Sequence, residues 1–131
     1  NMAAGFVSIR GGLRGPSSSP STACATGVHA IADAMHLIRT GEADVMLAGG
    51  SEACIEPLAV AGFCRLRALS TGFNATPEAA SRPFDALRDG FVIGEGSAVL
   101  LLEEFEHAVA RGAPAPLAEL VSVGNASDGH H

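Results

Sequence analysis

Apolar residues recur at helical spacing after residue 25. Val28, Ile31, Ala32, Met35 and Ile38 fall on one stripe, with Asp33 and Arg39 elsewhere on the wheel. Gly41 offers a C-terminal stop behind a cation in the last turn. The run Asp44-Val45-Met46-Leu47-Ala48 predicts a buried strand, ended by Gly49-Gly50. Ahead of the helix, residues 10–22 are rich in Gly, Pro and Ser. They predict a loop that leads into a short extended segment, Ser21 to Ala23. Strand, turn, helix and strand in succession predict an α/β layer.

The rest of the chain is less regular. Pro57 to Leu69 predicts a short helix broken near Gly62, and Ser70 to Arg82 a polar loop. Phe91 to Ile93 and Ala98 to Leu102 are expected to be extended. Glu103 to Ala110 predicts an amphipathic helix with acids in its first turn and Arg111-Gly112 at its end. Leu117 to Val123 alternates weakly and predicts one more strand. There is no tandem repeat and no low-complexity tract.

Composition narrows the function classes. Of 131 residues, 47% are hydrophobic and 17% charged, so the chain can bury a core without disulfide staples. With 131 residues it makes at most one domain. A net charge of −6, with no Lys/Arg stripe, argues against a nucleic-acid surface. The longest apolar runs are too short for a membrane span. The three cysteines, Cys24, Cys54 and Cys64, give neither a disulfide framework nor a zinc pattern, and a reducing compartment is the simpler expectation. His29 and His36 lie seven apart without further ligands nearby, so no metal is expected. The stretch Gly90 to Gly96 lacks the Lys-Ser/Thr ending of a phosphate loop and precedes a strand.

Cys24 is the residue with the most chemistry in it. It stands where an extended segment turns into a helix, among the small residues Ala23, Ala25, Thr26 and Gly27. Unpaired N–H groups of a first helical turn, with the positive end of the helix dipole, favour thiolate over thiol. The same groups can hold an oxyanion when a thioester is attacked. This is the logic of a nucleophile elbow with sulfur in place of hydroxyl. A buried packing cysteine is the competing reading, and it suits Cys54 and Cys64, which lack that setting. His29, five residues past Cys24, is turned away from the thiol on a helix.

Ser21-Thr22-Ala23-Cys24-Ala25-Thr26-Gly27-Val28-His29 resembles the active-site motif of the β-ketoacyl-[acyl-carrier-protein] synthases, members of the thiolase-like superfamily. The likeness is collinear along nearly the whole chain. It includes Gly12-Leu13-Arg14-Gly15-Pro16, the stretch from Gly41 to Gly50, and Arg67-Ala68-Leu69-Ser70. It continues through Arg82-Pro83-Phe84-Asp85, the stretch from Arg88 to Gly96, and Leu102 to Ala108.

The resemblance implies an α/β fold of the thiolase-like type, αβαβα in layers when complete, of which residues 1–131 are part. It implies that Cys24 takes an acyl chain from acyl carrier protein or coenzyme A as a thioester. Malonyl-[acyl-carrier protein] then loses carbon dioxide, and its carbanion attacks the thioester to give a β-ketoacyl product in fatty-acid elongation. Two histidines and a lysine of the family lie in a C-terminal half absent from this chain, so the piece alone is expected to be inactive. No cofactor is implied, and the full enzyme is expected to be a homodimer. Phe91 matches a gating phenylalanine beside the nucleophile. Phe63 matches a residue lining the acyl pocket. Asp128 and His131 match a Ser-Asp-x-x-His stretch near the substrate channel.

Two rivals share the fold. Modular polyketide ketosynthases carry Ser-Ser after the active cysteine, where this chain has Ala25-Thr26, and aromatic ones tend to have Asn in place of Asp89. A non-catalytic partner subunit would lack the nucleophile. The stretch from Cys54 to Phe63 resembles mitochondrial members more than bacterial ones, which points to the mitochondrial matrix, with bacterial cytoplasm or plastid as the alternative. A mean hydropathy of +0.29 suggests that the piece by itself would expose core surface.

Overall fold

The computed structural model describes residues 2–129. It contains helix α1 (Met2–Gly11), α2 (Thr26–Arg39), strand β1 (Val45–Glu52), α3 (Pro57–Arg65), β2 (Gly96–Glu103) and α4 (Phe105–Ala110). Single 3-10 turns occupy Ala23–Ala25 and Pro77–Ala79. The chain divides into two compact units, one formed by residues 1–50 with 98–131 and the other by residues 51–97. Among the described residues no helix is long and apolar enough to cross a membrane.

The first unit is organised by α2. Its buried residues are Ala32, Ala34 and Met35, and Ala48 of β1 is buried as well. The predicted stripe is only partly kept, because Val28 at its N-terminal end is exposed. Strands β1 and β2 are hydrogen-bonded neighbours. Glu104 N–H donates to Asp44 C=O at 2.9 Å, so the end of β2 meets the start of β1 and the pair runs antiparallel. β1 does not stop at Gly49-Gly50 as expected but runs through both. The glycines serve close approach rather than a turn. A Cβ on Gly49 would overlap the Ala98 carbonyl and lie 2.8 Å from Val99 Cα.

Three other expectations are corrected. α1 was not foreseen; it carries two glycines, Gly5 and Gly11, and buries none of its residues. Ala23 is not extended but left-handed, with φ of 52°. Leu117 to Val123 forms no strand. A strand needs a neighbour for its amides, and this segment's recorded link is instead Arg39 Nη2 donating to Val121 C=O at 2.8 Å. Val99, Leu100 and Leu101 of β2 are all exposed, on both faces of the strand.

In the second unit α3 starts with Pro57, a residue preset for the first helical turn. The helix is continuous through Gly62 rather than broken there. After it the chain folds back so that Leu69 and Phe91 form an isolated parallel bridge. That bridge is all that forms of the extended segment expected from Phe91 to Ile93.

Candidate active site

In the first unit Cys24 is exposed and occupies the middle of the 3-10 turn that opens directly into α2. The turn closes through Ala25 N–H to Thr22 C=O at 3.2 Å and Thr26 N–H to Ala23 C=O. The amides of Ala23 and Cys24 precede those closing bonds and have no partner inside the turn. The sulfur therefore stands beside main-chain donors at a helix entrance, the arrangement that suits a developing oxyanion. The left-handed Ala23 costs roughly 1–2 kcal/mol for a residue with a Cβ. That bend turns the chain so that the next side chain projects outward.

Two threonines and a histidine surround the elbow. Thr22 N–H donates to Thr26 Oγ1 at 2.9 Å, and Thr26 Oγ1 donates to Ala23 C=O at 2.8 Å. Thr22 Oγ1 and His29 Nδ1 share a hydrogen at 2.6 Å. The sequence reading placed His29 away from the thiol, and the structure gives its Nδ1 to Thr22. What that reading missed is the threonine pair four residues apart around the cysteine, with His29 one helical turn beyond Thr26. That spacing was legible.

In the second unit Phe63 and Phe91 meet edge to face, with centroids 6.3 Å apart and planes at 81°. Phe91 borders an open cleft with Val60, Leu69, Phe73 and Ile93, and Phe63 is not among the residues lining it. The Phe91 backbone is pinned on both sides: Phe91 N–H donates to Ala68 C=O at 2.8 Å, and Ser70 N–H donates to Phe91 C=O at 2.9 Å. Asp89 receives the Ser70 hydroxyl and the amides of Thr71 and Gly72, which hold its carboxyl below the ordinary range, the Ser70 bond most of all. Asp89 was not foreseen as an anchor.

The remaining site expectations divide. Cys54 is half-buried, in keeping with packing, whereas Cys64 is exposed and is not covered as a packing residue would be. Asp128 lies in the irregular C-terminal segment, and His131 lies outside the described residues.

An exposed thiol on a strained bend at the head of a helix defines a cysteine elbow, the arrangement of an acyl-transfer nucleophile. The family model for the β-ketoacyl synthase N-terminal domain matches residues 1–108, and the chain belongs to the β-ketoacyl synthase family. It is 59% identical over its full length to a mitochondrial 3-oxoacyl-[acyl-carrier-protein] synthase of Arabidopsis thaliana, covering 28% of that protein. It is 60% identical to a putative mitochondrial 3-oxoacyl-[acyl-carrier-protein] synthase of Schizosaccharomyces pombe, covering 30% of it. Among solved structures it is similar to a type II polyketide synthase ketosynthase in complex with its acyl-carrier protein, bound to the hexaketide. That match has a TM-score of 0.81 and 47% identity over 86% of this chain and 28% of the other. The chain thus spans less than a third of the curated relatives it matches.

Proposed function

We propose that Cys24 is the acyl-accepting nucleophile of a 3-oxoacyl-[acyl-carrier-protein] synthase acting in fatty-acid elongation. The thiolate attacks the carbonyl carbon of an acyl thioester. An S–C bond forms at Cys24, and the carrier leaves as its thiol. In the second half-reaction malonyl-[acyl-carrier protein] loses carbon dioxide, and the carbanion so formed attacks the acyl carbon. A C–C bond replaces the bond to Cys24 and the thiolate is regenerated. The histidines and lysine that assist decarboxylation in this family belong to the rest of the protein.

The exposed sulfur in the turn that opens α2 is the observation that carries this reading. The names of the two curated relatives favour fatty-acid synthesis. The solved polyketide ketosynthase favours the same chemistry on other substrates, at lower identity. Acyl carrier protein as partner draws support from that complex, and the mitochondrial matrix from the compartment in both relatives' names. A homodimer rests on the family resemblance. Phe91 is the proposed gate and Phe63 a proposed lining residue of the acyl pocket, and their edge-to-face contact is what supports reading them together. His131 is proposed at the substrate channel on resemblance alone.

The test is acyl transfer in the full-length protein. Incubation with octanoyl-[acyl-carrier protein] should leave one octanoyl group on Cys24, located by peptide mass spectrometry. Cys24→Ala should abolish both the adduct and condensation. An acyl group found on Cys54 or Cys64 instead would overturn the assignment.

A further inference from the structure

We propose that Thr22 and His29 form a clamp that fixes the bend carrying Cys24, which makes His29 a positioning residue for acyl transfer. The inference rests on Cys24 being the nucleophile. Three bonds hold Thr22, two of them from α2 and one from the turn that opens it. Thr22 is held through its hydroxyl by His29 Nδ1 at 2.6 Å, through its N–H by Thr26 Oγ1 at 2.9 Å, and through its C=O by Ala25 N–H at 3.2 Å. The carbonyl of Ala23 is held in turn by the Thr26 hydroxyl at 2.8 Å.

Each bond has its own consequence. Those made by Thr26 and Ala25 lie within the turn and follow from its geometry. The His29 bond is different, because it joins the segment to a point seven residues away, on the body of the helix. A left-handed alanine relaxes readily once its flank is released. A side chain that must span from helix to flank and hold one geometry is best rigid. The imidazole has two side-chain torsions and is half-buried, so little freedom is lost in the clamp. With Nδ1 committed to Thr22, His29 acts on the sulfur through the backbone bend. The clamp sets where Sγ points relative to the Ala23 and Cys24 amides, and reaction rate is steep in that geometry.

The test is a cycle in the full-length enzyme, reading the rate of Cys24 acylation by octanoyl-[acyl-carrier protein]. His29→Ala and Thr22→Val should each slow acylation about tenfold, with the KM for the acyl donor and the melting temperature unchanged. The double variant should be no slower than either single one, because both remove the same bond. Thr22→Ser keeps the hydroxyl and should restore the rate to within about twofold of the parent. Independent losses that multiply in the double variant, an unchanged rate, or a Thr22→Ser as slow as Thr22→Val would each overturn the clamp. Thr22 is exposed, so its Val/Ser pair decides the matter even if His29→Ala fails to fold. A clamp that fails leaves the parent enzyme acylated on Cys24, whereas failure of the nucleophile assignment appears in the parent itself.

Discussion

Ser70 Oγ donates to Asp89 Oδ1 at 2.5 Å, and this bond joins two stretches of the second unit that lie 19 residues apart. The other oxygen of Asp89 accepts from the amides of Thr71 and Gly72 at 3.0 and 2.8 Å. One carboxylate thus closes the loop after Leu69 over the segment that presents Phe91. The string Asp89-Gly90-Phe91 becomes three parts of one device: an anchor, a close approach and an aromatic face.

The anchor weakens in acid. The Ser70 hydroxyl above all, with the Gly72 and Thr71 amides, holds the Asp89 carboxyl below its ordinary range. A depressed carboxylate stabilises the fold fully above its unfolded pKa and ceases to as pH falls through the lower, folded value. Hydrogen exchange at the Thr71 and Gly72 amides should therefore be slow near pH 5 and quicken below about pH 4, relative to intrinsic rates. In Asp89→Ala those amides should exchange fast at every pH. Protection that survives the substitution would show that the carboxylate does not hold the loop.

Gly90 is the close approach. Its φ is +152°, and a Cβ there would lie 2.5 Å from both Leu69 C and Ser70 N, which are backbone atoms that cannot swing aside. Gly90→Ala should cost about 2–4 kcal/mol in chemical denaturation of the full-length protein. Gly62 is the control. It sits inside α3 with nothing within 4 Å of a built Cβ, so Gly62→Ala should be neutral or gain about 0.5–1 kcal/mol.

Glu103 ties β2 to α4. Arg111 meets its two oxygens at 2.6 and 2.7 Å, and His107 Nδ1 lies 2.6 Å from one of them. These partners, Arg111 foremost, lower its pKa to about 2. Its stabilisation is complete above the ordinary carboxylate range and is lost as pH falls towards about 2. The stability difference between the parent and Glu103→Gln should be constant above about pH 5 and vanish towards pH 2. A difference that persists at pH 2 would mean that shape, not charge, is what the glutamine disturbs. Arg111→Lys should lose most of the effect as well, because a lysine cannot reproduce the two-pronged contact.

The proposed gate can be read as a pair. Phe63 and Phe91 meet edge to face, a geometry that contributes about 0.5–1.5 kcal/mol beyond buried area. A double-mutant cycle with Phe63→Leu and Phe91→Leu should return a coupling of that size in stability. Phe91→Ala should lower the acylation rate more than Phe63→Ala, because Phe91 borders the cleft and Phe63 does not. Equal losses would leave both as ordinary packing residues.

What could be read from the residues alone depended on how local the cause was. α2, α4 and the position of Cys24 followed from periodicity, end signals and small neighbours, all within a few residues. The extent of β1 did not, because Gly49 and Gly50 look like a turn until the partner strand and helix crowding them are known. The alternation from Leu117 to Val123 predicted a strand, but no neighbour within the described residues accepts it. The Asp89 anchor and the Thr22–His29 pair are polar side-chain contacts across a fold-back and a bend, where spacing gives a hint but no partner.

The last prediction concerns how the fold sets the elbow. α2 begins against β1 at two glycines. A Cβ on Gly50 would lie 3.3 Å from Gly27 Cα, tighter than ordinary contact, whereas one on Gly27 would find its nearest neighbour, Gly50 N, at 3.5 Å. Gly27 is three residues past Cys24, so a displacement there is felt at the sulfur. Gly50→Ala should push the start of α2 outward by a few tenths of an ångström, cost about 1–2 kcal/mol as mild overpacking, and slow alkylation of Cys24 by iodoacetamide several-fold. Gly27→Ala meets no such crowding and gains helix propensity, so it should leave both stability and alkylation near the parent values. Because the two glycines face each other, the double variant should lose more than the sum of its parts. If Gly50→Ala alkylates at the parent rate, the helix start is not what positions the thiol, and the bend at Ala23 must hold it without help from the sheet.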